Sequence, residues 1–133
     1  MKVVETILRA DSDVTTLLSD GANSVRTMRE RQEENVPYIV VSQDLINPND
    51  TQDGQPLEQW EVSLNIVSNT LDESDGAYNI GVECRNTLHD YSGVVDGETV
   101  AKIVYGGQSQ QRFDSTNEVR IQVEHNYTMY IRR

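Results

Sequence analysis

VRIQVEHNYTMYIR, residues Val119–Arg132, decides how the chain is built. Val119, Ile121, Val123, His125, Tyr127, Met129 and Ile131 fall on one side of an extended backbone, and Arg120, Gln122, Glu124, Asn126, Thr128, Tyr130 and Arg132 on the other. Successive side chains of a strand point to opposite faces, so this stretch reads as a β-strand with one buried and one wetted face. At about 3.4 Å per residue it spans roughly 45 Å, more than the sheet of a small domain needs, and part of it is expected to serve a neighbour.

Working backwards, Trp60, Val62, Leu64 and Ile66 alternate with Gln59, Glu61, Ser63 and Asn65, a second half-exposed strand. Before it, Pro37 opens Tyr38-Ile39-Val40-Val41, apolar on both faces as a strand central to a sheet would be. Asn47 to Pro56 between them is rich in Pro, Asn, Asp and Gly and reads as a projecting hairpin loop. Val25 to Arg31 suits a short edge strand whose charges discourage pairing with other chains. Glu98 to Gln108 is a weaker strand, and Gly106 to Asn117 a second polar loop interrupted by Phe113.

Two regions carry helical periodicity instead. Val3, Val4, Ile7, Leu8, Val14, Leu17 and Leu18 make one apolar stripe that ends near Asp20-Gly21, with Ser12 or Asp13 able to cap a second turn. Ala77, Ile80, Gly81, Cys84 and Leu88 make another, over roughly 73 to 90, behind the acidic Asp72-Glu73-Ser74-Asp75 that suits a helix N-terminus. Ala77 and Gly81 on its inner stripe let a helix lie close against a sheet. The reading is therefore one α+β domain over 1–133, a mostly antiparallel β-sheet with helices packed on one face, in the order α-β-β-β-α-β-β. The wet strand faces then form an open surface rich in Gln, Glu, Asn, Thr and Arg.

Composition limits what such a domain does. The chain has 133 residues, 11 Lys plus Arg against 22 Asp plus Glu, and a formal net charge of -11. That field repels phosphate backbones and anionic lipid, so nucleic-acid binding is not the expected main task. Cys84 is the only cysteine, which excludes an internal disulfide and cysteine-based zinc sites. No signal-like segment follows Met1 and no 18-residue apolar run occurs, so a soluble protein made in the cytoplasm is expected.

Catalytic chemistry finds little support. No Gly-x-Ser-x-Gly elbow is present. His89 and Asp90 are adjacent, and neighbours on a helix face apart, so Asp90 is not expected to orient His89. His125 lies on the apolar face of the last strand and reads as a hydrogen-bonded core histidine. The loop from Asn49 resembles a calcium loop up to Gly54, but its twelfth position is Trp60 in place of the bidentate acid. Gly106-Gly107 lacks the rest of a phosphate cradle. Cys84 reads as a buried neutral thiol. No enzyme, metal or cofactor is expected. Arg26, Arg29 and Arg31 are interleaved with Glu30, Glu33 and Glu34, which argues against a phosphate track and suits a salt-bridge strip between subunits better than a plain solvated edge.

The N-terminal helical segment, Val36-Pro37-Tyr38-Ile39-Val40-Val41, the strand Trp60 to Ser68, the helix near 73 to 90 and the alternating last strand together resemble the tail-completion family of siphophages. These are also called tail-terminator or tail-to-head joining proteins. The resemblance covers nearly the whole chain and lies in layout, length and the stretch Pro37-Tyr38-Ile39-Val40-Val41, since the family has no catalytic signature to match. It implies a virion structural protein, forming a ring, usually of six, at the head-proximal end of the tail tube, that ends tube growth and joins tail to head. A head-completion or stopper protein of the connector is the alternative, and a small acidic binding or inhibitor protein a further one.

Partners implied by the resemblance are copies of the chain itself, the tail tube protein and a head-completion or connector protein, without a membrane. DNA would pass through the lumen without specific binding. The interface residues expected on this reading are Arg26, Arg29, Arg31, Asn49, Asp50, Asp53, Gln108, Gln110, Arg112, Phe113 and Arg132.

Overall fold

In the computed structural model, residues 2–27, 35–50, 57–70, 76–114 and 119–132 are described. The strand read first, β6 (Val119–Arg132), forms over the bounds expected from its alternation. It lies inside the sheet, pairing antiparallel with β3 (Leu57–Ser68) from Ile121 to Arg132 on one side and with β5 (Glu98–Asp114) on the other. Both backbone edges of β6 are therefore paired within its own sheet over nearly its whole length.

The remaining strands are β1 (Val25–Thr27), β2 (Tyr38–Asp50) and β4 (Gly93–Val95). They complete a six-stranded sheet in the order β1-β2-β3-β6-β5-β4, antiparallel throughout except for the parallel β1–β2 pair. The expected edge strand is real over Val25–Thr27, and the rest of its expected range, 28–31, lies outside the described residues. β2 is second from that edge, not central, yet Tyr38, Ile39 and Val41 are buried as an interior strand requires.

Helix α1 (Val3–Arg9), the single turn α2 (Ser12–Thr15) and α3 (Ala77–Leu88) pack on one face of the sheet. Val3, Val4, Ile7 and Leu8 of α1 and Ile80, Cys84 and Leu88 of α3 meet Ile39, Val41, Val62, Leu64, Ile66, Val123, Tyr127, Met129 and Ile131 in one apolar core. Exclusion of this apolar surface from water is the main term holding the fold, at about 25 cal/mol per Å² buried. The break between α1 and α2 falls where expected, but its cap is Asp11, whose carboxylate accepts the Asp13 N–H at 3.0 Å. The same carboxylate also accepts the Thr87 hydroxyl, tying α2 to the end of α3. Glu5 is buried within α1 and satisfied by the Thr27 hydroxyl at 2.6 Å.

Two expectations are corrected. Asn47 to Asp50 belong to β2, irregularly paired with β3, so the loop expected from Asn47 does not begin there; 51–56 lie outside the described residues. Gly106 to Asp114 are strand, not loop: β5 continues past Gln108 because an irregularity between Tyr105 and Gly107 absorbs one residue and returns the ladder to register. Gly107, at φ 131, takes a backbone conformation open mainly to glycine. β4 was not foreseen, being only three residues long. The acidic cap expected at 72–75 lies outside the described residues, and Gly76 at the N-cap of α3 offers no side chain.

Candidate assembly surface

The face of the sheet away from the helices is built by the polar half of each alternating strand. Register places Ser42 opposite Ser63, Ser63 opposite Asn126, Asn65 opposite Glu124, and Val67 opposite Gln122. Ser63 donates to Asn126 Oδ1 at 2.9 Å, and Gln122 donates to Asn65 Oδ1 at 2.7 Å. Such cross-strand bonds fix amide and hydroxyl groups in a half-exposed array along the strands, which presents hydrogen-bonding groups to another surface. Arg26 stands beside Val40, with Val25 buried on the opposite face.

Of the expected interface residues, the four with described side chains, Arg26, Gln108, Gln110 and Arg132, do not share one patch. Arg26 lies at the β1 edge of the sheet, whereas Gln108 and Gln110 lie exposed on β5 near the opposite edge, and Arg132 is exposed at the end of β6. Asn49, Asp50, Arg112 and Phe113 lie on described strand backbone without described side chains, and Arg29, Arg31 and Asp53 lie outside the described residues. Sequence reading missed the exposed apolar residues Leu45, Ile46, Tyr78 and Val94. Leu45 and Ile46 were legible as a hydrophobic pair just ahead of the turn-forming residues.

His89 and Asp90 do something the sequence did not suggest. Both lie beyond the end of α3, and Asp90, at φ 65, turns the chain along the outer edge of β5. His89 Nδ1 accepts the Tyr105 N–H at 3.1 Å, and the Asp90 N–H donates to the Ile103 carbonyl at 2.8 Å. The two side chains also approach to 3.5 Å, correcting the expectation that they face apart. A strand edge is a template for unwanted pairing, and here two residues satisfy its outward groups over Ile103–Tyr105.

Beyond that strap, a cleft of about 280 Å³ runs between α3 and β5, lined by Tyr78, Arg85, Tyr105, Gly107, Gln108 and His125 among others. His125 is 3% exposed; its Nδ1 lies 3.3 Å from the Tyr105 hydroxyl, and its Nε2 has no partner. Burial, aided by the nearby Arg85 cation, pushes the imidazole pKa down to about 4, so the ring is neutral near pH 7. Burial pushes the Cys84 thiol far up, reinforced by Asp11 and Glu83, which leaves it protonated and unreactive. Among the described residues, no three His, Cys, Asp or Glu side chains converge as metal ligands.

The sequence matches no family model and no curated protein. A similar fold occurs in a virion. That fold belongs to a chain in the virion of a native gene transfer agent particle, with a TM-score of 0.71 and 11% identity. The match covers 98% of this chain and 92% of that one. At such identity the likeness is one of fold alone. It nevertheless spans the helix pair, the sheet and α3, since almost nothing of either chain is left over. No helix among the described residues is long and apolar enough to cross a membrane.

Proposed function

We propose that the chain is a structural protein of a phage-like virion, forming a ring at the head-proximal end of the tail tube that ends tube growth and joins tail to head. The carrying observation is the end-to-end likeness of fold to a chain of a gene transfer agent virion, over 98% of one chain and 92% of the other. An open polar sheet face and apolar residues left at the surface support an assembly role. Ring subunits need heterologous contacts, one surface of a copy meeting a different surface of the next, and the two ends of this sheet differ as that requires.

Charge fits a DNA conduit. Six copies at -11 each carry -66, and the share that faces the lumen repels the phosphate backbone and prevents sticking. The neighbours on this reading are the tail tube protein on one side and a head-completion or connector protein on the other.

Immunogold electron microscopy of virions tests the proposal. Label confined to the junction of head and tail, with a sixfold ring in averaged images, is the expected result. Label along the whole tube, or none on the particle, overturns it; label on a head-side collar above the tail ring gives the chain a stopper role instead.

A further inference from the structure

A second groove, of about 480 Å³, runs between α1, the end of α3 and β4. Its wall is apolar over Ile7, Ala10, Tyr91 and Val95, and Val94 stands beside them at 71% exposure, the most exposed large apolar side chain among the described residues. Two carboxylates, Asp11 and Asp96, complete the lining. Each is fixed by a neutral donor from a different element: the Thr6 hydroxyl of α1 donates to Asp96 Oδ2 at 2.6 Å, and the Thr87 hydroxyl of α3 donates to Asp11 Oδ2. A hydroxyl orients a carboxylate without cancelling its charge, and a carboxylate has further acceptor sites beyond one such bond. Arg9, the basic residue of α1, donates instead to the Ala22 and Val25 carbonyls.

An apolar wall joined to fixed negative charge selects one kind of occupant. A metal ion would gain from the carboxylates alone. Lysine and arginine use both parts, laying a hydrocarbon stem along apolar surface and carrying a cation at its tip. A second copy of a chain with net charge -11 meets like charge here, so the complementary partner is a different, basic protein.

We propose that this groove docks a lysine- or arginine-bearing segment of a neighbouring virion protein other than the chain itself, with the stem against Tyr91 and Val94 and the cation at Asp96 and Asp11. This rests on the virion reading and names a surface through which the chain meets that neighbour. Asp96 and Gly97 form the two-residue turn between β4 and β5, at φ 52 and 78. Asn-Gly suits such a turn as well as Asp-Gly does, so Asp96→Asn removes the charge while keeping the turn and an acceptor for Thr6.

Photo-crosslinking in assembled particles tests the proposal, with p-benzoylphenylalanine in place of Val94 and mass spectrometry of the linked peptides. Links from position 94 are expected to map to a lysine- or arginine-bearing stretch of a different virion protein. Asp96→Asn in the same chain is expected to lower their yield roughly twofold to fivefold, the effect of losing one exposed ion pair, with the circular dichroism unchanged. Links to another copy of the chain, links to a stretch without a basic residue, no links from position 94, or a yield that Asp96→Asn leaves unchanged overturns the docking site and leaves the virion reading standing. Absence of the chain from purified particles overturns the virion reading, and the docking site with it.

Discussion

Gly81 and His125 share one space: a Cβ placed on Gly81 would sit 2.2 Å from His125 Nε2 and 2.7 Å from Cε1. The helix comes that close because residue 81 has no side chain, and the imidazole fills the resulting gap from below. Alanine in a helix interior gains about 1 kcal/mol over glycine by propensity. Here the overlap with a buried ring outweighs that gain, since overpacking a close-packed core costs about 1–3 kcal/mol. Gly81→Ala is therefore expected to lower stability by about 1 kcal/mol net. In a His125→Ala background the same change is expected to stabilise. Chemical denaturation of the four proteins in this cycle checks the reversal of sign.

His125 also sets a pH dependence. Its folded pKa, about 4, lies below the ordinary 6.5, so the unfolded chain binds the proton more readily. Its stabilising contribution is thus fully present above pH 6.5 and is lost as pH falls toward 4. A loss of about 1–3 kcal/mol across that window is expected from this group, at up to 1.36 kcal/mol per pH unit. Carboxylates titrate in the same range, so the measurement is a difference: urea midpoints at pH 7.5 and 4.5 for the native chain and for His125→Gln. The variant is expected to lose less on acidification, and equal losses would remove His125 from the account.

Much of the fold was legible because each long strand has one dry and one wet side. β6 and β3 announce themselves by period-two alternation, and α3 by Ile80, Cys84 and Leu88 along one stripe. What failed was local chemistry with two meanings. Gly106-Gly107 followed by polar residues reads equally as a turn or as a strand interrupted by a bulge, and only pairing with β6 selects the second. Asp11, Ser12 and Asp13 all carry capping oxygens, and the choice of Asp11 depends on Thr87 76 positions away. β4 has too few residues for any period. Of the candidate surface, Gln108 and Gln110 were legible as polar and exposed, but their place on β5 beyond the reach of β4 required the topology.

The strap on β5 makes its own prediction. With His89→Ala the Tyr105 N–H loses its acceptor, and its amide is expected to exchange at least tenfold faster in the free chain. His89 is half exposed and water replaces the lost acceptor, so global stability should change by less than about 1 kcal/mol. Hydrogen exchange followed by NMR separates the two. Unchanged exchange at Tyr105 would mean that the histidine does not guard this edge.

Cys84 tests the packing of α3 from inside. It is fully buried in the core, and burial holds its thiol protonated, so neither access nor thiolate is available to an alkylating reagent. Iodoacetamide at pH 8 is expected to modify the native chain only through unfolding, at a rate that rises with urea as the folded population falls. Gly81→Ala, which pushes α3 away from His125 one helical turn from Cys84, should accelerate labelling in proportion to its loss of stability. Rapid labelling of the native chain without denaturant would show that α3 lifts from the sheet on its own, and that the close contact at Gly81 does not hold it down.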